Sequence, residues 1–156
     1  IQIDMLLAEK FGMYYTDSDN KQKLPYIIHR TSMGCYERTL ALLIEKYAGA
    51  FPMWLAPTQA VVVPVSPAFN DYAAEVADKM KAAGLLAEAD LRNEKMGYKI
   101  REHQLQKVPY TLIVGENEMN ENAVSVRRRG GVDMGTMGVD AFIAQAQDEV
   151  KTKVIW

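Results

Sequence analysis

The chain has 156 residues, of which 49% are hydrophobic, a formal charge of −2 and one cysteine, Cys35. That length admits one ordinary domain, or one domain with part of another attached, and the apolar content supports a real core. A single cysteine excludes an internal disulfide or a cysteine-rich zinc module, and a slightly acidic balance gives no global signature of phosphate-backbone binding.

At the start, Ile1, Ile3 and Met5 alternate with Gln2 and Asp4, which predicts a half-buried strand. A hairpin is expected next, from MYYT through the polar turn DSDNKQK to LPYIIHR. Gly34 to Tyr47 places Leu40, Leu43, Ile44 and Tyr47 at helical spacing, with Gly49 as a stop. AFPMWLAP, Ala50 to Pro57, carries two prolines and reads as a linker. From Ala60 the pattern becomes an alternation of strand and helix. AVVVPV forms a short buried strand, and Asn70 is expected to cap a helix bearing Tyr72, Val76 and Met80 and ended by Gly84. Leu85–Ala89 is a further strand candidate and Gly97–Lys107 a helix; Thr111–Gly115 and Val124–Arg129 are strands joined by a polar turn around Glu116–Asn122. A last amphipathic helix carries Phe142, Ile143, Ala146 and Val150. The expectation is an α/β fold with a mixed, mostly parallel sheet flanked by helices. The apolar runs are too short to span a bilayer, and no basic-then-apolar leader opens the chain; a cytoplasmic protein with no membrane partner is expected.

Positive charge gathers in the second half, at Arg92, Lys95, Lys99, Arg101, Lys107 and the run Arg127-Arg128-Arg129, while acidic residues collect in the helical segments at 71–81 and 140–149. By itself this is a weak pointer to an RNA-facing side, since solvated faces carry such charges too. On the same grounds Arg38 reads as an exposed helix arginine, His29 as a core residue at the end of an apolar strand and His103 as structural or surface. Cys35 has no second cysteine or adjacent histidine to activate it.

Two segments carry a more specific signal: IHRTSMGCYERTLALLIEKYAGAFPMWLAP, from Ile28 to Pro57, and DLRNEKMGYKIREHQLQKVPY, from Asp90 to Tyr110. Together they resemble the C-terminal part of threonyl-tRNA synthetases, over nearly the whole chain. The first is similar to motif three of class II synthetases and the second to the anticodon-binding domain of that family. The resemblance implies a catalytic-domain remnant at 1–52, an antiparallel strand and helix with motif three, followed by an anticodon-binding domain at 53–156. Motifs one and two are not found, and there is no initiator Met, so a piece of an enzyme is expected, inactive alone. The parent would join threonine to ATP and pass it to tRNA(Thr), and would be a homodimer. In that frame Arg38 matches the arginine that grips the ATP phosphates, Gly34 allows close approach of the nucleotide, and Gln2 faces the threonine pocket. Magnesium would accompany ATP. His29 would supply one of three protein ligands to a zinc ion that binds the amino and hydroxyl groups of threonine. Cys35 and Thr39 stand where many members have serine and phenylalanine. Anticodon contacts are implied for Asn93, Lys95, Arg101, Glu118 and Arg127, whose amide, carboxylate and guanidinium groups suit unstacked bases and phosphates. The alternative is a free-standing RNA-binding module without catalysis, which has no need of the GCYER and IHR segments.

Overall fold

A computed structural model describes residues 1–156. It divides them into two units, Ile1–Leu42 and Leu43–Trp156, against an expected boundary at 52/53.

In the first unit, β1 (Gln2–Asp4) pairs antiparallel with β4 (Ile27–His29), and β2 (Tyr15–Thr16) pairs with β3 (Gln22–Lys23). The expected hairpin is therefore split, because its turn closes early. Asn20 takes a left-handed conformation and its N–H donates to the Asp17 carbonyl, while the Asp17 carboxylate accepts from the Ser18 N–H and from Lys23. Pro25 has no N–H with which to continue that ladder, so Ile27–His29 returns to β1 instead. A short helix, α1 (Leu7–Lys10), starts on Asp4, whose carboxylate accepts from the N–H groups of Leu6 and Leu7 at 2.9 and 2.8 Å. These bonds hold the Asp4 carboxyl below the usual range. Helix α2 (Tyr36–Tyr47) follows, begins in this unit and ends in the next, and buries no residue.

The second unit is built on a five-stranded sheet of order β6-β5-β7-β8-β9. Its strands are β5 (Ala60–Pro64), β6 (Ala87–Ala89), β7 (Tyr110–Val114), β8 (Ala123–Arg128) and β9 (Val132–Gly138). β5 is parallel to both β6 and β7, whereas β7–β8 and β8–β9 are antiparallel. The sheet is mixed, as expected, but its parallel share is half rather than most. Helices α3 (Asn70–Ala82) and α6 (Val139–Thr152) cover one face, where Val76 and Met80 meet Val62, Leu112 and Phe142 in the main core. Residues alternate between faces along a strand, so Val61 and Val63 point to the other side, under α4 (Met96–Leu105).

Three local expectations change. Asn70 lies inside the helix and caps nothing, because Pro67 already opens a tight turn over Pro67–Phe69 and the helix continues from it. Glu116–Glu121 is a helix, α5, rather than a polar turn: the Glu118 carboxylate accepts from the Gly115 N–H at 3.0 Å, and Asn122 closes it in a left-handed conformation. The segment read as a linker is partly core, since Met53 is 1% exposed and its carbonyl accepts from the Gln59 amide at 3.1 Å. No helix is long and apolar enough to cross a membrane.

Candidate nucleic-acid interface

In open α/β sheets the carboxyl ends of parallel strands are where chain reversals leave side chains free to meet a ligand. Here that edge carries the β6–α4 loop and the start of α5. Asp90, the first residue beyond β6, is buried and continues the sheet by donating its N–H to the Val62 carbonyl at 2.9 Å. Its carboxylate accepts from Arg92 Nε at 2.9 Å and Nη2 at 2.6 Å, and from His103 Nε2 at 2.8 Å. Lys99 Nζ donates to the Asp90 carbonyl at 2.8 Å, and Arg92 Nη1 lies 2.9 Å from Glu102 Oε2 as an ion pair. The forked bond from Arg92 is the main reason the Asp90 carboxyl stays well below the usual range, with burial pulling the other way. Lys99 and His103 are one helical turn apart on the buried side of α4, so a strand end and a helix are both fastened to one aspartate.

Leu91 to Lys95 are all exposed between these fastenings. The side chains of Asn93 and Lys95 make no hydrogen bond or ion pair within the chain; neither does that of Arg101, which points to solvent from α4. Glu118 is differently placed. Besides holding Gly115, it accepts from Ser125 Oγ at 2.7 Å, and Ser125 in turn meets Thr136 Oγ1 at 3.0 Å. Arg127 sits beside Thr111 and Asp133 in the cross-strand register, on the α4 face, with no partner for its guanidinium. It lines a cleft of about 260 Å³ with Ile100, Gln104, Thr111 and Asp133.

The three consecutive arginines separate. Arg128 points to the opposite face and lies 5.0 Å from the ring of Trp156. Arg129 Nη1 donates to the carbonyls of Phe51 and Lys107 at 2.8 and 2.9 Å, and Nη2 to that of Ala50 at 3.0 Å. Burial lowers its pKa without removing its charge. Sequence reading missed the buried Asp90 and Lys99 and the anchor Arg129, while His103, read as structural or surface, is structural. The i, i+4 spacing of Lys99 and His103 after a strand-ending aspartate was the available signal.

In the first unit, Arg38 is exposed on the opening turn of α2 and unpartnered, and Gly34 has φ +78° with open space around it. Cys35 Sγ donates to Glu37 Oε2 at 2.7 Å, which holds that carboxyl down, and Thr39 Oγ1 donates to the Met33 and Cys35 carbonyls. Gln2 and His29 face each other across β1–β4, both exposed. No group of three His, Cys, Asp or Glu side chains able to hold a metal ion occurs. His29 alone does not fit zinc, which takes three or four protein ligands.

Residues 59–149 match the family model described as anticodon binding domain. A threonine–tRNA ligase of Clostridium botulinum (strain Eklund 17B / Type B) is 54% identical over 153 residues, 98% of this chain and 24% of that protein. One from Polynucleobacter asymbioticus is 48% identical over 154 residues, again 24% of its length. The chain therefore spans about a quarter of these curated relatives. Among solved structures, the RNA binding domain of threonyl-tRNA synthetase from Cryptosporidium parvum Iowa II is 31% identical with TM-score 0.73, covering 94% of this chain and 38% of that one.

Proposed function

The chain belongs to the anticodon-binding domain family, and from that premise we propose that it reads the anticodon loop of tRNA(Thr) as the C-terminal part of a threonine–tRNA ligase. The supporting observation is that Asn93, Lys95 and Arg127 are presented without internal partners on a cored sheet unit. Asn93 and Arg127 offer paired donors to base edges, and Lys95 and Arg101 offer charge to phosphates. Glu118 brings a carboxylate able to accept from a base N–H, although both its oxygens already hold protein donors.

In the same reading, ATP is a substrate of the longer enzyme. Arg38 would grip its phosphates with Gly34 giving close backbone approach, and Gln2 would border the threonine pocket. Magnesium and zinc would have to draw ligands from outside this chain. The test is the affinity for a threonine-tRNA anticodon stem-loop against the same loop with its middle anticodon base changed, at one moderate salt concentration. A difference of about 1–3 kcal/mol is expected. Equal affinities that fall steeply with salt mean backbone attraction alone and overturn the reading.

A further inference from the structure

We propose that Asp90, Arg92, Lys99 and His103 are positioning residues for RNA recognition, a clamp that presents Asn93 and Lys95 in one conformation. This rests on the anticodon reading above and adds to it residues that do not themselves need to touch RNA.

The argument starts from the loop. Leu91–Lys95 is exposed throughout, and an exposed five-residue connection samples many conformations unless something fixes it. Within it, the backbone supplies little: the Glu94 N–H donates to the Arg92 carbonyl at 2.9 Å, and the Lys95 carbonyl accepts from Tyr98 and Lys99 as α4 begins. The fixing comes from side chains. Arg92, immediately before Asn93, is drawn back by two parallel bonds onto a carboxylate that is 4% exposed, and its remaining amino group reaches Glu102 on α4. A planar fork held at both ends leaves few rotamers, so the backbone at Arg92 is fixed with it. At the other end, Lys99 Nζ, 3% exposed, closes on the Asp90 carbonyl and lies 3.9 Å from its carboxylate. Asn93 and Lys95 lie between two fastenings to one residue.

The charges explain why the arrangement holds. Asp90 and Glu102 carry two negative charges against the positive charges of Arg92 and Lys99, so these four side chains balance. His103 Nε2 meets the Asp90 carboxylate, and its Nδ1 is buried and unpartnered. Arg92 is 47% exposed, so removing it does not open a cavity.

The experiment uses the full chain with Arg92→Ala and Arg92→Lys, alone and combined with Asn93→Ala, titrated with the anticodon stem-loop at several salt concentrations. Melting curves and amide exchange of Asn93–Lys95 are recorded on the free proteins. Expected for Arg92→Ala are a roughly 10-fold weaker affinity and faster exchange in the loop. Lysine, lacking the fork, does not restore binding, and the double variant loses less than the sum of the two single losses, since Asn93 is one of the contacts the fork presents. A salt slope lowered by about 1 with rescue by lysine would make Arg92 a phosphate contact and overturn the proposal. So would wild-type affinity in both variants, whatever their melting temperatures. Wild-type protein that fails to discriminate the anticodon overturns the underlying reading, and is told apart from these outcomes before any variant is made.

Discussion

The two units use similar apolar residues to opposite ends. In Leu43–Trp156, Tyr110 and Phe142 are fully buried and stack edge to face at 5.3 Å between sheet and helix. In Ile1–Leu42, Ile1 is 91% exposed, Phe11 71% and Tyr36 81%, and Ala8 is the one buried residue. The difference lies in the strands. Two separate two-stranded sheets of two or three residues per strand give no continuous surface to close over, whereas five paired strands give two faces and helices to cover them. Hydrophobic content alone does not make a core; the number of neighbours in the sheet decides whether it can be used.

That contrast is broken most directly by cutting at its boundary. A chain of residues 43–156 is expected to unfold in one cooperative transition, and residues 1–42 to show none, by calorimetry or far-UV circular dichroism. Cutting at 52 instead removes the Ala50 and Phe51 carbonyls that Arg129 holds, and is expected to give a lower melting temperature than cutting at 42. Next in size, Phe142→Ala costs about 3–5 kcal/mol by urea denaturation, while Phe11→Ala changes stability by less than about 0.5 kcal/mol. Similar costs at the two phenylalanines contradict the comparison.

A smaller effect is read by pH. The Asp90 carboxyl is held below its unfolded value of about 3.9, so its contribution is fully present above that pH and is lost as pH falls through the folded value. Urea midpoints are expected to drop below about pH 4, more steeply in the wild type than in Arg92→Ala, where the depressing partner is gone. Parallel acid limbs in the two proteins would remove Asp90 as the source. The smallest change is Glu118→Gln, which weakens the bonds to Gly115 and Ser125 and costs about 1 kcal/mol, read as a shifted urea midpoint.

The order of strands and helices in the second unit was legible because its elements announce themselves locally. Val61, Val62 and Val63 in sequence leave only a buried strand, and Val76 and Met80 fix a helix face. β9 was not legible. Its sequence VDMGTMG has two glycines and few β-branched residues, and it becomes a strand because β8 offers an edge, with a bulge opposite Val126 and Arg127. For the site, it was the resemblance to threonyl-tRNA synthetases, not composition or spacing, that implied Asn93, Lys95, Arg101, Glu118 and Arg127. The buried charges beneath them left only the i, i+4 spacing of Lys99 and His103 as a trace, because a lysine 3% exposed and one in solvent look alike in a sequence. The same limit hid Arg129, whose partners are backbone carbonyls contributed by distant segments.

Arg127, Arg128 and Arg129 have different surroundings within one run of like charge: the first two alternate across β8, and Arg129, beyond the strand, holds backbone carbonyls and shares the Trp156 ring with Arg128. Natural drift from arginine to lysine would therefore be judged by three different standards. At position 127 the chain itself loses nothing and only a ligand can register the change. At 128 a cation over the Trp156 ring is kept. At 129 no single ammonium nitrogen can span the carbonyls of Ala50, Phe51 and Lys107, so the exchange that looks most conservative on paper falls on the fastening of the segment before β5.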